Sequence, residues 1–386
     1  MAETDEATDR LPPTRAFVNA RAIESNTRAL RSVSQAANLM AVVKADAYGH
    51  GAVAAALAAL QGGATWIGTY SIEEALPLRR SGITAPILAF RPALPGEGEL
   101  FARHRVVPTI TSRDVAQELN RAAAGTRLAY HIKVDTGMHR SGVAPSEVFP
   151  LVETLGGCPN LVFQGLYTHF SSADEGTVEP TKSQFRTLMD VLSTLRSAGF
   201  DPELVHAANS AAILDFPETH GSMVRAGIAL YGYHPSDRVR HRVGLVPALR
   251  VASRLIRTHW LRPGDPVGYG AEFHSPDRRL IGLVPIGYGH GMPRSLGNGA
   301  GSLLFRGHPV PIIGRVSMDQ VTVDLAATPD ARAGEDVVWI GTLGNAEQTA
   351  EDVAAAAGTI SYEILTRISA RVPRIVVHGP NEMNGV

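Results

Sequence analysis

The sequence predicts an α/β chain: a closed barrel of eight parallel strands alternating with helices, followed by a mostly β domain. Two patterns carry that expectation. Up to about Arg242, short apolar runs alternate with helix-compatible stretches, as parallel strands covered on both faces do. From Val243 onward, strand-like runs follow one another directly, separated by glycine, proline and aspartate. Strands alternating with helices pair in parallel through right-handed crossovers, and eight of them favour closure. A doubly wound open sheet is the structural alternative.

The elements follow in chain order. Residues 1–13 are acidic and polar, lack the basic and apolar regions of a secretory signal, and are expected to form a mobile leader. Residues 14–242 are assigned to the barrel, although Thr14 to Asn19 is expected to join the β domain as a strand. A helix is expected over Ala22 to Gln35, ahead of the first barrel strand at Leu39 to Val43. The other strands are expected at Trp66 to Tyr70, Pro86 to Phe90, Val106 to Ile110, Leu128 to Val134, Leu161 to Tyr167, Leu204 to Ala207 and Met223 to Ala226. Helical stretches over 52–61, 71–81, 96–104, 113–123, 145–155 and 181–198 lie between them. Residues 243–386 form the β-rich part, with runs such as RLIGLVPIG, GSLLFRG and PVPIIGRVSM interrupted by a short helical AEDVAAAAG.

With 386 residues, 44% of them hydrophobic, the chain can fill two cores. Lys plus Arg (36) nearly cancels Asp plus Glu (37), so no global field holds it on nucleic acid or an anionic membrane. No apolar run approaches the roughly 18 residues of a membrane span. The single Cys158 excludes an internal disulfide framework and reads as a small buried hydrophobe in a reducing compartment. Small-molecule chemistry in the cytoplasm is therefore favoured, with no nucleic-acid or membrane partner.

Polar motifs fall just past the expected strand ends, where a barrel places its active site. In AVVKADAYGHG (41–51), Lys44 ends the first strand. An amine half desolvated there has a lowered pKa and forms Schiff bases with aldehydes, whereas an ordinary strand-end lysine snorkels to solvent. KVDTGMHRSG (133–142) gathers Lys133, Asp135 and Arg140; a plain Lys133–Asp135 ion pair is the alternative reading. YTHFSSAD (167–174) sets His169 at a strand end, where a lone histidine is more often a satisfied structural group than a catalyst. HAANSAA (206–212) offers Asn209 and Ser210 as helix caps beside backbone N–H groups that can bind phosphate. RAGIALYG (225–232) adds Arg225 and a glycine, Gly227, through which backbone can approach an anion. Phosphate sites after strands seven and eight recur in such barrels.

These strings, with GYGAEF (268–273), PIGYGHGMPR (285–294) and GRVSMDQ (314–320), resemble the alanine racemase family, pyridoxal-phosphate enzymes that interconvert L- and D-alanine. The resemblance spans nearly the whole chain. It implies a (β/α)8 TIM-type barrel with a mostly β C-terminal domain, working as a homodimer with shared active sites. It implies that Lys44 carries pyridoxal 5'-phosphate and that Tyr48, Ser210, Gly227 and Ile228, beside Asn209, hold the phosphate. His169 is implied to stack under the ring, Arg225 to face its nitrogen, and Tyr362 to wall the pocket. Arg140, Met318 and Asp319 are implied at the substrate carboxylate, with Lys133 and Tyr288 in support. Lys44 and Tyr269 are implied as the two catalytic bases, the tyrosine coming from the other subunit. The outer corridor maps to Asp174, Arg294, Arg315 and Ile360. No metal ligand set is implied. Two positions depart from the family pattern: Ser317 stands where cysteine is common, and His290 where aspartate is usual. Because histidine titrates near neutrality, pH behaviour is expected to differ. The implied activity supplies D-alanine for biosynthesis; a racemase extending to serine, a decarboxylase of the same plan and a non-catalytic cofactor carrier are the alternatives.

Overall fold

The computed structural model describes residues 11–379 and 382–383, so residues 1–10 of the expected leader lie outside the described residues. The chain divides into two units: residues 22–47 with 52–246, and the residues up to Arg21 with 48–51 and those from Pro247. Strand β1 (Arg15–Asn19) lies in the second unit, and helix α1 (Ala20–Val33) leads from it into the first.

The first unit is a ring of parallel strands. They are β2 (Asn38–Val42), β3 (Trp66–Thr69), β4 (Ile87–Pro92), β5 (Val107–Ile110), β6 (Leu128–Lys133), β7 (Leu161–Tyr167), β8 (Leu204–His206) and β9 (Met223–Ala226). After β2 come α2 (Lys44–Gly49) and α3 (Ala52–Gln61); α4 (Ile72–Arg80), α5 (Gly98–His104), α6 (Arg113–Ala122), α7 (Pro145–Leu155), α8 (Glu179–Ser197) and α9 (Ser210–Asp215) follow β3 to β8 in turn. The ladder runs from β8 down to β2 and on to β9. Between its two ends, the Ser222 N–H donates to Val205 (3.0 Å) and the Arg225 N–H to Ala208 (2.9 Å). This nearly closed barrel overturns the open-sheet alternative.

Seven of the eight strands contribute to one interior cluster: Met40, Trp66, Leu88, Val107, Tyr167, Leu204 and Met223. Full burial of each such side chain stabilises the fold by about 1.5–3 kcal/mol. Gly165 in β7 belongs to the same packing, because a Cβ there would lie 2.5 Å from the His131 ring. The outer helices turn one apolar face inward; in α8 it is Leu188, Val191, Leu192 and Leu195, at helical spacing.

The second unit holds β10 (Leu249–Arg254), β11 (Arg257–Leu261), the short pair β12 (Pro266–Val267) and β13 (Phe273–His274), then β14 (Arg279–Val284), β15 (Ser302–Phe305), β16 (His308–Ile313) and β17 (Val321–Asp324). β18 (Asp336–Leu343), β19 (Ala346–Gln348), α10 (Ala350–Ala357), α11 (Ser361–Arg367) and β20 (Arg374–Val377) complete it. Its main sheet has the order β11-β14-β17-β16-β15-β18-β10-β1-β20. β1 pairs antiparallel with β10 and parallel with β20, so the Arg15–Asn19 segment is built into this sheet. Thr349 caps α10 by accepting from the Asp352 N–H, and Asp352 accepts from the Thr349 N–H in return. The strand pattern did not announce α2 or α11, whereas α9 lies where Asn209 and Ser210 were expected as helix caps.

Candidate active site

Lys44 lies one residue past β2, and the chain then turns with the wrong hand. Ala45, Asp46, Ala47 and Tyr48 all have φ between +51° and +55°, so four successive non-glycine residues of α2 turn left-handed. Each such residue costs about 1–2 kcal/mol, so contacts must hold the turn in place. Glu74 accepts from the Ala45 N–H (2.9 Å), Asp46 from the Ala52 N–H (2.8 Å), and Val43 from the Ala47 N–H (2.8 Å). In the other unit, Gly49 lies so near Leu365 that a Cβ would come within 2.2 Å of its carbonyl oxygen. There Tyr48, buried, has its ring 6.0 Å from that of Tyr362. Burial pushes the Tyr48 phenol well above its ordinary pKa, so it stays a neutral hydrogen-bonding group.

Four cations gather at the C-terminal end of the barrel. Lys44 is pulled below the ordinary lysine pKa by burial first, then by the charge of Arg140, with Glu74 opposing and Arg225 adding. Burial, then Arg140, Arg225 and Lys44, lower Lys133 to about 8 against the pull of Asp135. Lys133 donates to the Ser141 hydroxyl at 2.7 Å, while Asp135 accepts from the N–H groups of Gly137 and His139. The Lys133–Asp135 pair is absent from the ion pairs among the described residues: the Asp135 carboxylate is turned onto its own loop.

Arg225 is 4% exposed and held by neutral acceptors. It donates to the carbonyls of Thr168 and Ala207 (both 2.8 Å), to His206 Nδ1 (2.9 Å) and to His169 Nδ1 (3.2 Å). Burial lowers it to about 10, which leaves it charged at neutral pH. A guanidinium only donates, so both histidines must present Nδ1 lone pairs and carry their protons on Nε2. His206 Nε2 then donates to His131 Nδ1 at 3.0 Å. Burial, with Arg225 next, holds His169 and His206 far below the usual imidazole pKa, and burial holds His131 at about 3. Tyr167 stacks on His206, ring centroids 4.7 Å apart.

Beside this network, Asn209 caps α9 by accepting from the Ala212 N–H (3.0 Å). Ser210, the first helical residue, accepts through its hydroxyl from the N–H of Gly227 (2.8 Å) and of Ala229 (3.5 Å). Main-chain donors, a hydroxyl and the first turn of a helix thus converge on one spot, a donor set suited to a phosphate group. Ile228 follows Gly227 in the same turn, its side chain buried.

The second unit presents its candidate residues on turns. Gly268 and Gly270, at φ +71° and +76°, flank Tyr269 and turn its ring outward, 71% exposed. Arg315, beside Gly270, pairs with Glu272. The turn bearing Tyr288 lies on the loop 317–320: the N–H of Tyr288 donates to Ser317 (3.0 Å) and that of Gly289 to Met318 (2.8 Å). Asp319 pairs with Arg371 at 2.7 Å. Met318 and Ile360 are exposed, at 53% and 62%.

Residues 18–235 match the family model of the alanine racemase N-terminal domain, and residues 248–376 that of the C-terminal domain. The alanine racemase of Symbiobacterium thermophilum is 42% identical over 95% of this chain and 97% of its own length. The chain belongs to the alanine racemase family. It is an amino-acid racemase. Among solved structures, alanine racemase from Bacillus anthracis with bound L-Ala-P superposes with a TM-score of 0.90 at 37% identity, covering 95% of this chain and 96% of that one. Histidine racemase from Leuconostoc mesenteroides subsp. sake superposes at 0.87 and 28% identity, covering 95% and 98%.

In this member of the family, the structure adds positions that the motif reading passed over. Glu74 bonds the start of the left-handed turn and also accepts from the Tyr70 N–H (2.7 Å). Ser141 receives Lys133, Ala229 adds a donor to Ser210, and His206 and His131 continue the Arg225 network inward. The available signal was HAANSAA itself, which begins with His206. His131 gave none, since a histidine inside an apolar strand has no local signature.

Proposed function

We propose that the chain is a pyridoxal-phosphate-dependent alanine racemase acting as a homodimer in the cytoplasm, with Lys44 and Tyr269 of the partner subunit as its two bases. The observation that carries this reading is the cluster of Lys44, Lys133, Arg140 and Arg225 at one end of the barrel. Four cations with so little acid beside them call for anionic ligands, and a cofactor phosphate together with a substrate carboxylate answers that need. Lys44 would hold the cofactor, with Ser210, Gly227, Ile228 and Tyr48 on its phosphate, His169 against its ring and Arg225 at its nitrogen. When bound, that group supplies an electron sink that acidifies the α-hydrogen of an attached amino acid.

The residues divide the remaining work. Lys44, with its pKa lowered, has more of the free amine at neutral pH and takes or returns the α-proton on one face. On the other face Tyr269 does the same through its phenol oxygen. Ordinary tyrosine is a weak base at pH 7, with a pKa of about 10. Because Arg225 occupies His169 Nδ1, the Nε2–H of His169 is left as a donor that can stabilise the phenolate. Arg225 offers donors and no acceptor, a choice that favours racemisation over transamination. Arg140, Met318 and Asp319 are assigned to the substrate carboxylate, Lys133 to orienting Arg140, and Tyr288 and Tyr362 to the pocket wall. The exposed Tyr269, Met318 and Ile360 suit a surface that docks on a second copy of the chain. Among the described residues no helix is long and apolar enough to cross a membrane.

The test is to incubate the protein with L-alanine and pyridoxal phosphate, then treat it with borohydride. D-alanine without carbon dioxide, and cofactor fixed to the Lys44 peptide, are expected. Carbon dioxide release, or label on another lysine, overturns the reading.

A further inference from the structure

His290, the departure inside PIGYGHGMPR, takes part in backbone structure. Its Nδ1 accepts from the Gly287 N–H at 3.2 Å, and its own N–H returns to the Gly287 carbonyl at 2.9 Å. An N–H only donates, so Nδ1 must carry a lone pair and the neutral ring must keep its proton on Nε2. The ring thereby closes the turn that carries Tyr288.

That turn is locked to its neighbours by main chain. Tyr288 and Gly289 donate to the carbonyls of Ser317 and Met318. The Ser369 hydroxyl donates to the Gly289 carbonyl (2.8 Å) and the Ser369 N–H to that of His290 (3.2 Å). A Cβ on Gly287 would fall 2.2 Å from the Ser317 oxygen, so the two loops meet with no side chain between them. A change at His290 therefore reaches the Ser317–Asp319 segment directly.

We propose that His290 is a positioning residue of the racemase: its neutral imidazole holds the Tyr288 turn against Met318 and Asp319, and protonation releases that hold. The proposal rests on the assignment of Met318 and Asp319 to the substrate carboxylate. Protonated, Nδ1 becomes a donor aimed at the Gly287 N–H; the ring must swing away and the turn loses its closure. Two charged groups face the ring, Asp319 from the 317–320 loop and Arg371 from the segment after α11, and they are bonded to each other. Burial first, then Arg371, pull His290 below the ordinary imidazole range, with Asp319 opposing. The hold is thus complete above the ordinary histidine pKa and is lost as pH falls through the lower value. An aspartate at this position would accept the same N–H and remain an acceptor down to about pH 3.9. Histidine makes acid-sensitive what aspartate would leave indifferent.

The experiment compares kcat and KM of wild type, His290→Asp and His290→Asn as holoenzymes, each normalised to its own plateau at alkaline pH. Asn supplies an oxygen acceptor that does not titrate. As pH falls below about 7.5 and through the lowered His290 range, the wild type is expected to lose kcat/KM more steeply than either variant, by up to about tenfold per further pH unit, mainly through KM. In parallel, 15N NMR should find the Nε2–H tautomer, with the Gly287, Tyr288 and Gly289 amides shifting along the His290 titration. Superimposable acid limbs, an Nδ1–H tautomer at neutral pH, or amides indifferent to the titration overturn the proposal. If none of the three proteins racemises alanine, the functional reading fails separately, and the amide shifts still decide whether His290 holds the turn.

Discussion

The barrel and the β-rich unit fix their candidate residues by opposite means. In the barrel, Arg225, His206 and His131 are buried and His169 is half-buried, and side-chain hydrogen bonds decide their positions and tautomers. In the β-rich unit, Tyr269, Tyr288 and Met318 are exposed, and glycine turns with main-chain contacts set where they point. The first arrangement tunes charge, because a low-dielectric interior amplifies every neighbouring charge. The second tunes geometry, because turns and main-chain contacts decide where an exposed side chain points. The lesson is that substitutions in the two regions should fail differently: the barrel through charge and desolvation, the β-rich unit through displacement.

The largest expected effect joins the two regions. Lys44→Ala and Tyr269→Phe, each alone, should lower kcat by about a thousandfold or more, within the range for removing a positioned acid–base group. Mixed and allowed to exchange, about half the dimers carry one chain of each kind, and one site in each of these is intact, so activity should return to roughly a quarter of wild type. An inactive mixture, with exchange confirmed independently, would place both bases in one chain.

Arg225→Leu comes next and should act on folding. It leaves the Thr168 and Ala207 carbonyls buried without their donor and frees two histidines, a loss of about 3–5 kcal/mol in denaturant unfolding. A midpoint unchanged within error would show that the network contributes little. Gly287→Ala should do the reverse, sparing the barrel and moving the Ser317–Met318 segment. A displacement near 1 Å can cost about a hundredfold in kcat/KM. Near-normal kinetics would mean that the loop yields without consequence.

Lys133→Met is the smallest change and tests the charge argument. The folded pKa of about 8 lies below the unfolded value of about 10.4, so below pH 8 the folded state bears the cost of a buried ammonium, and that cost disappears as pH rises through 10.4. The substitution should therefore stabilise the protein by about 1–2 kcal/mol at pH 7, after loss of the Ser141 bond, and by almost nothing above pH 10.4. A stabilisation independent of pH would point to packing.

The sequence by itself determined the barrel strands, because strands covered on both faces must be continuously apolar, and that requirement is written residue by residue. It also determined the motifs that carry Lys44, Arg225 and Tyr269, since their chemistry depends on residue type at short spacing. Tertiary structure alone decided the rest. The left-handed turn at Ala45–Tyr48 contains no glycine, so nothing local demands it; Glu74, far along the chain, bonds its first N–H. His131 and His206 lie 75 residues apart and meet only because the strands close into a barrel. The lowered pKa values of Lys44 and Lys133 likewise arise from burial and from cations gathered out of separate loops. Charge and tautomer are properties of neighbours in space, and a linear sequence specifies those neighbours only through the fold.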